Sequence, residues 1–190
     1  MKSKTSSFAT RYCEMIETLI SSKTRIKLLL KFFLNSSNSS YLRGLESEFG
    51  ESSNSIRLEL NKLEKAGLLK SNQEGNKKIF RANTKHPLFG DINSILLKFT
   101  GLDKIIEKVI DQIGDLELVL VVGQLAKGLS SEIIDLILVG DIDKDFAFEL
   151  VQKAELRLKK KIKYVCYSPI EFDLVKESTY TEDHLLLWSK

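Results

Sequence analysis

The chain has 190 residues, of which 43% are hydrophobic and 29% are charged, and its formal net charge is +3 at pH 7. This length allows one large hydrophobic core or two small ones, and no apolar run approaches the roughly 20 residues that cross a bilayer. Cys13 and Cys166 are far apart and form no metal-ligand spacing, and residues 1–10 lack the apolar core of a signal peptide. We therefore expect a cytoplasmic protein with reduced thiols and no membrane contact.

The charge is distributed unevenly along the chain. The first 85 residues contain 16 basic and 8 acidic side chains, whereas the remainder contains 13 basic and 18 acidic side chains. Such an asymmetry predicts two domains, of which the first meets a polyanion. Ordinary surface variation would give a similar asymmetry about as often, so charge alone does not decide the partner.

Residues 1–21 are predicted to hold an N-terminal amphipathic helix. Its apolar stripe recurs at spacings of three and four residues: Tyr12, Met15, Ile16 and Leu19. This stripe would pack either across a dimer or onto the local core, and the pattern favours neither alternative.

Residues 22–84 are predicted to form two helices, a turn, a third helix and a two-stranded hairpin. The apolar stripe of the third helix is Ile56, Leu60 and Leu63. Either Ser52 or Ser53 is its N-cap, and Gly67 ends it. The first two helices are predicted over Lys23–Asn35 and Tyr41–Phe49, with a loop at Ser36–Ser40 between them. The first strand of the hairpin starts at Leu68, the chain turns around Gly75, and the second strand spans Lys77–Arg81.

The third helix and the hairpin carry side chains that suit DNA. Polar and basic groups there can meet base edges and phosphates; they are Ser53, Asn54, Ser55, Arg57, Asn61, Lys77 and Lys78. Arg57 is the predicted base contact, because a guanidinium can grip guanine with two hydrogen bonds, and the lysines are predicted phosphate contacts. A helix with a polar outer face followed by a basic hairpin resembles the recognition helix and wing of a winged helix-turn-helix domain.

Residues 85–114 are predicted to be a linker and a bridging helix. Pro87 and Gly90 break the chain, and an amphipathic pattern then indicates a helix over Asp91–Ile113 with an interruption at Gly101. His86 stands beside the proline without a second ligand nearby, which favours a structural role.

Residues 115–190 alternate strand and helix patterns, as in a small α/β sheet. The last apolar run, Leu185–Trp188, is interpreted as a docking tail or a second dimer contact. The other predicted elements are strands at Leu116–Val122, Ile133–Val139 and Lys161–Tyr167, a helix from the cap Asp143 to Leu158, and a helix from Pro169 to Lys176.

The segments VLVVGQLAKG and IIDLILVGD resemble the minimal nucleotidyltransferase fold, in which a Gly-Ser turn cradles the triphosphate and a Ser-Asp-x-Asp-Leu strand holds two magnesium ions. Gln124 stands where that family has its serine. Asp135 is either the second aspartate, with Ile133 replacing the first, or the first, with Ile137 replacing the second. The resemblance implies a nucleotide-binding remnant at Gly123, Gln124, Lys127, Gly128 and Asp135, with Ala126 also matching.

The remaining carboxylates do not restore the family's metal site. A single aspartate cannot assemble a two-metal clamp, so the sequence predicts no catalytic residue, no metal and no cofactor, and the chain is predicted not to be an enzyme. Asp141 and Asp143 follow the strand, but Asp143 is better placed as a helix cap. The lysines of Lys159–Lys163 are interpreted as a solvated helix end rather than a phosphate site.

Nearly the whole chain is similar to a bacterial arrangement in which a winged domain of the ArsR-like type is joined through a linker to a nucleotidyltransferase-like domain. The fold class is thus α+β, and the predicted function is DNA-binding transcription regulation by a homodimer, with a second domain for dimerisation or for sensing a small-molecule or nucleotide effector. The alternatives are an active nucleotidyltransferase tethered to DNA and a protein-interaction module. The Cys-x-Cys motif of the ArsR-type metal sensors does not occur in this sequence.

Overall fold

The computed structural model describes residues 18–108, 110, 113–180 and 183–190. Two compact units divide these residues, one spanning Glu17–Leu96 and the other containing Leu97–Lys190. The predicted N-terminal stripe at Tyr12, Met15 and Ile16 lies outside the described residues, as does Cys13.

The first unit combines helices with a three-stranded antiparallel sheet of order β1-β3-β2. Tyr41 pairs with Ile79 across β1 and β3, and Glu74 pairs with Lys77 at the hairpin tip. Its elements are α1 (Lys23–Leu29), extended by a π-helical turn over Leu30–Leu34, β1 (Ser39–Tyr41), α2 (Leu42–Phe49), α3 (Ser53–Lys65), β2 (Leu69–Glu74), β3 (Lys77–Ala82) and the part of α4 (Phe89–Thr100) up to Leu96.

Local chemistry explains where α3 begins and ends. Ser52 is its N-cap, since the Ser52 hydroxyl accepts a hydrogen bond from the backbone N–H of Ser55. Gly67 follows the helix with φ 74°, a conformation that a missing Cβ permits. The predicted apolar stripe of α3 is confirmed, because Ile56, Leu60 and Leu63 are buried. The core of this unit also contains Leu28, Phe32, Phe33 and Leu45.

Strand β1 differs from the sequence-based expectation. The segment Ser36–Ser40 was expected to be a loop, but Ser39 and Ser40 pair with Arg81 and Phe80 of β3. Three polar residues carry no alternation that would indicate a strand, and their pairing depends on a partner about 40 residues further along the chain. The helix that follows consequently begins at Leu42.

The predicted bridging helix is interrupted at Gly101, as expected. The chain forms α4 up to Thr100 and α5 over Leu102–Lys108, and Gly101 has φ 87° between them. In the first unit, the Asn93 side-chain amide donates to the carbonyl of Phe33 at 2.7 Å. This bond fastens the start of α4 to the end of the π-helical turn.

The second unit is built on a four-stranded mixed sheet of order β6-β5-β4-β7. The β5–β6 pair is parallel, and β4 pairs antiparallel with both β5 and β7. Its elements are α5 (Leu102–Lys108), β4 (Gly114–Val122), α6 (Gly123–Ala126), β5 (Ile133–Ile142), α7 (Lys144–Leu158), β6 (Lys161–Tyr167), α8 (Pro169–Tyr180) and β7 (Leu185–Ser189). Helices and a mixed sheet make the chain an α+β protein.

Leu185–Trp188, interpreted as a docking tail or a second dimer contact, forms a strand of the sheet rather than a free tail, while the dimer contact stays a prediction. Those residues belong to β7, where Leu186 pairs with Leu120 and Trp188 pairs with Val119. An uninterrupted Leu-Leu-Leu-Trp run lacks the period-two pattern of a half-buried strand, so local sequence could not separate a strand from a tail.

Asp143 is the N-cap of α7, as predicted. Its carboxylate Oδ1 accepts hydrogen bonds from the backbone N–H groups of Asp145 at 3.0 Å and Phe146 at 3.1 Å. Across the described ranges, no helix is both long enough and apolar enough to span a membrane.

Candidate functional site

The first unit has an open groove between its helices and its hairpin. The lining comes from the end of β1, the start of α2, the outer face of α3 and the hairpin: Tyr41, Leu42, Arg43, Arg57, Leu60, Asn61, Asn76, Lys77, Lys78 and Phe80. Four residues predicted from the sequence to bind DNA therefore share one surface, namely Arg57, Asn61, Lys77 and Lys78.

The cations of the groove have different surroundings. Arg43 and Arg57 are exposed, and neither has a carboxylate partner within the described part of the chain. Lys77 places its Nζ 4.4 Å from the ring centroid of Tyr41. Lys78 Nζ lies 2.7 Å from a carboxylate oxygen of Glu64. Counting the carboxylates of the described residues, three of these four positive charges thus face the groove without an opposing carboxylate.

The start of α3 holds the other three predicted residues. Asn54 is exposed and Ser53 is half-buried. Ser55 is turned toward α1, because its hydroxyl lies 3.0 Å from the hydroxyl of Thr24. The structure therefore places Ser55 apart from the groove, while its role and those of Ser53 and Asn54 stay predictions.

Glu59 is one of two acidic residues of α3 that could oppose DNA, but its carboxylate is buried and paired. Its side chain is 9% exposed and accepts from Arg25 Nε at 2.7 Å and from Lys62 Nζ at 3.1 Å. Burial by itself would raise the pKa of Glu59, but the hydrogen bonds from Arg25 and Lys62 outweigh burial and hold that pKa below its ordinary value. The charge of Glu59 is thus balanced locally.

Sequence reasoning missed Arg43. This residue lies in the first turn of α2, outside the segment in which DNA contacts were sought. The pairing of Tyr41 with Ile79 brings that turn beside the hairpin, and Arg43 then lines the same groove as Arg57. The only signal that could have revealed Arg43 was the strand β1, which the sequence does not show.

The second candidate site lies where β4 ends and α6 begins. Asp135 of β5 is directly opposite Val122, the last residue of β4. Gly123 follows with φ 69°, and a Cβ on it would lie 2.8 Å from Asp135 Oδ2. The structure therefore brings Gly123 and Asp135 together. Of the other residues in the implied remnant, Gln124 is exposed, Lys127 is half-buried and Gly128 is buried.

The residues around Asp135 do not fit a two-magnesium clamp. Ile133 and Ile137 share its face of β5, because side chains alternate along a strand, and Ile137 packs with Leu120 and Phe172. On the neighbouring strand β6, the residue opposite Asp135 is Lys163. In both alignments left open by the sequence, an isoleucine occupies the other carboxylate position, namely Ile133 in one and Ile137 in the other. Among the described residues, no three His, Cys, Asp or Glu side chains group as metal ligands.

Comparisons with known proteins give a likeness in fold only. No family model matches the chain, and no curated protein matches it. A complex of a tri-AMPylated Shewanella oneidensis HEPN toxin with its MNT antitoxin is 23% identical, covering 48% of this chain and 73% of that one, with a TM-score of 0.37. A toxin–antitoxin structure with AMP-PNP is 24% identical, covering 46% and 73%, with a TM-score of 0.36. A "putative nucleotidyltransferase" of Sulfolobus solfataricus is 24% identical, covering 50% and 83%, with a TM-score of 0.33.

This comparison corrects one sequence-based prediction. The chain was predicted not to be an enzyme, because only one carboxylate of the metal-binding pair remains. One of the solved structures that the chain is similar to is described as a "putative nucleotidyltransferase", and another contains an AMPylated toxin in complex with an antitoxin. The prediction was wrong to take the missing carboxylate as sufficient grounds for excluding activity.

Proposed function

We propose that the first unit binds double-stranded DNA, with α3 in the major groove and the β2–β3 hairpin beside it as a wing. The groove that joins Arg43, Arg57 and Lys77 on one surface supports this proposal most strongly. A guanidinium on the exposed face of a helix can read guanine, whereas lysines at the flank neutralise phosphates. Such an arrangement is the one that the resemblance of the sequence to winged, ArsR-like regulators implies.

The proposal includes a homodimer and an effector. Two copies of α3 would read half-sites about one DNA turn apart, or a multiple of that distance. A small molecule or nucleotide bound by the second unit would then change the affinity for DNA. Sedimentation of the protein in complex with a labelled DNA duplex gives the number of chains per DNA site.

Removing Lys77 is expected to flatten the salt dependence of DNA binding. Each neutralised phosphate contributes about 0.9 to the slope of log affinity against log salt, so Lys77→Gln should reduce the magnitude of that slope by about one, with the same effect on every DNA sequence. Fluorescence anisotropy of labelled duplexes at several salt concentrations measures the slope.

The matched control is Lys153→Gln, an exposed lysine of α7 that pairs with Glu149 at 3.5 Å. It removes the same charge from the second unit and should leave the slope unchanged. If the unsubstituted protein shows no salt-dependent DNA binding, the proposal fails, and a protein-interaction module becomes the better reading of the groove.

As a second candidate function, we propose that the second unit binds a nucleoside triphosphate beside Gly123 and Asp135. The resemblance of GQLAKG to a phosphate-binding turn and the close approach of Asp135 to Gly123 support this proposal. Lys127 lies in that turn and can donate a charge-assisted hydrogen bond to phosphate.

Lys127→Gln is expected to weaken nucleotide binding by about 10- to 150-fold, since a hydrogen bond to a charged group contributes roughly 1.5–3 kcal/mol. Isothermal titration with each of the four ribonucleoside triphosphates measures the affinity, and Lys153→Gln serves again as the control. An equal effect of both substitutions would contradict the proposed site. Incubation with labelled triphosphates and magnesium or manganese tests nucleotidyl transfer in the same samples. Turnover that is lost in Asp135→Asn would assign the reaction to the site beside Gly123 and Asp135.

A further inference from the structure

The two hairpin lysines differ in what balances their charges. Lys78 Nζ donates to Glu64 Oε2 at 2.7 Å, and the other carboxylate oxygen of Glu64 accepts from the hydroxyl of Ser71. Lys77 instead lies over the ring of Tyr41. A ring attracts a cation without cancelling its charge, whereas a carboxylate cancels it. Of these two lysines, only Lys77 therefore presents a positive charge that no carboxylate of the described residues balances.

We infer that Glu64 withholds Lys78 from DNA, so that the hairpin binds phosphate through Lys77 and not through Lys78. This inference rests on the proposed DNA-binding function and changes the sequence-based view that both lysines contact phosphate. Glu64 is a positioning residue in this scheme, because it acts on DNA binding only through the lysine that it holds.

Several contacts hold Lys78 in this place. Hydrogen bonds from Lys78 and Ser71 hold the pKa of Glu64 below its ordinary value, so the carboxylate is ionised at neutral pH. Ser71 on β2 orients that carboxylate toward β3, and the Lys78 ammonium also lies 5.1 Å from the ring centroid of Phe80. A DNA phosphate would have to replace an oriented carboxylate, an acceptor of the same sign and similar strength.

The slope of log affinity against log salt distinguishes this arrangement from one in which the ion pair opens on binding. Glu64→Gln should free Lys78 to neutralise one more phosphate and make the slope steeper by about 0.9. Raising the salt from 50 to 200 mM would then cost the variant about 3.5 times more affinity than it costs the unsubstituted protein. In the Lys78→Gln background, the same Glu64→Gln substitution should leave the slope unchanged.

Glu74→Gln is the matched control, since it removes the same charge from the hairpin without touching Lys78. Glu74 is 57% exposed and lies 3.8 Å from Arg81, and we expect its removal to leave the slope within about 0.3 of the unsubstituted value. Far-UV circular dichroism checks that each variant is folded. A slope that Glu64→Gln leaves unchanged in folded protein would overturn the inference, while DNA binding by the unsubstituted protein would keep the proposed function intact.

Discussion

Arg57→Ala is expected to lower the affinity for a preferred DNA sequence by about 5–150-fold, which corresponds to roughly 1–3 kcal/mol for a bidentate contact to guanine. The guanidinium is exposed on the outer face of α3, lines the groove and has no carboxylate partner in the part of the chain that the structure describes. Because such a contact reads a base, the loss should be much smaller on unrelated DNA. Selection of bound duplexes from a random pool, followed by anisotropy titration, measures both quantities.

Arg57→Lys separates base reading from charge. Lysine keeps the positive charge but lacks the rigid fork of donors, so this variant should keep the salt slope while losing most of the preference among sequences. A preference that survives Arg57→Ala would contradict the assignment of Arg57 to a base edge and would direct attention to Arg43, on the same groove.

Gly140→Ala is expected to destabilise the second unit by about 3 kcal/mol or more, since both backbone strain and overpacking contribute. Gly140 has φ 156°, and a Cβ built on it would lie 2.3 Å from the carbonyl oxygen of Asp115 and 2.9 Å from the Cα of Leu116. Both atoms belong to the backbone of the paired strand β4, so relief would require the β4–β5 ladder to shift.

Urea unfolding measures this effect, and the single tryptophan of the chain makes the measurement specific to one unit. Trp188 lies in β7 beside Val119 of the same sheet, so its fluorescence follows the second unit. Asp141→Ala, at the exposed neighbouring position of β5, is the control and should change the free energy of unfolding by less than about 0.5 kcal/mol. Equal stabilities of the two variants would show that the strands accommodate the added carbon.

Local patterns were enough to predict most helices and most of the sheet. The stripe of Ile56, Leu60 and Leu63 is buried as predicted, and the caps at Ser52 and Asp143 follow from short polar side chains at helix starts. Such signals depend on residues within one or two turns of each other, which a single sequence displays directly.

The rest depended on pairing between distant segments. Strand β1 is defined by β3, about 40 residues away, and β7 is defined by β4. The same holds for the sites: Arg43 reaches the groove only because β1 pairs with β3, and the Glu64–Lys78 ion pair forms between a helix and a strand. The sequence predicted which residue types could bind DNA or nucleotide, but it could not predict which of their charges are already paired.

The position of β7 in the sheet also bears on synthesis at the ribosome. The contacts of β4 with β7 join segments roughly 65 positions apart, and contacts of that separation form late and slowly. The unit spanning Glu17–Leu96 precedes β4 in the chain, so it leaves the ribosome first and can fold, with its groove formed, before the second unit is complete. Meanwhile β4 has one edge without a hydrogen-bonding partner until residues 185–189 emerge. During that interval the nascent chain exposes the Leu-Val-Leu-Val run of β4, and we expect it to depend on chaperones more than the first unit does.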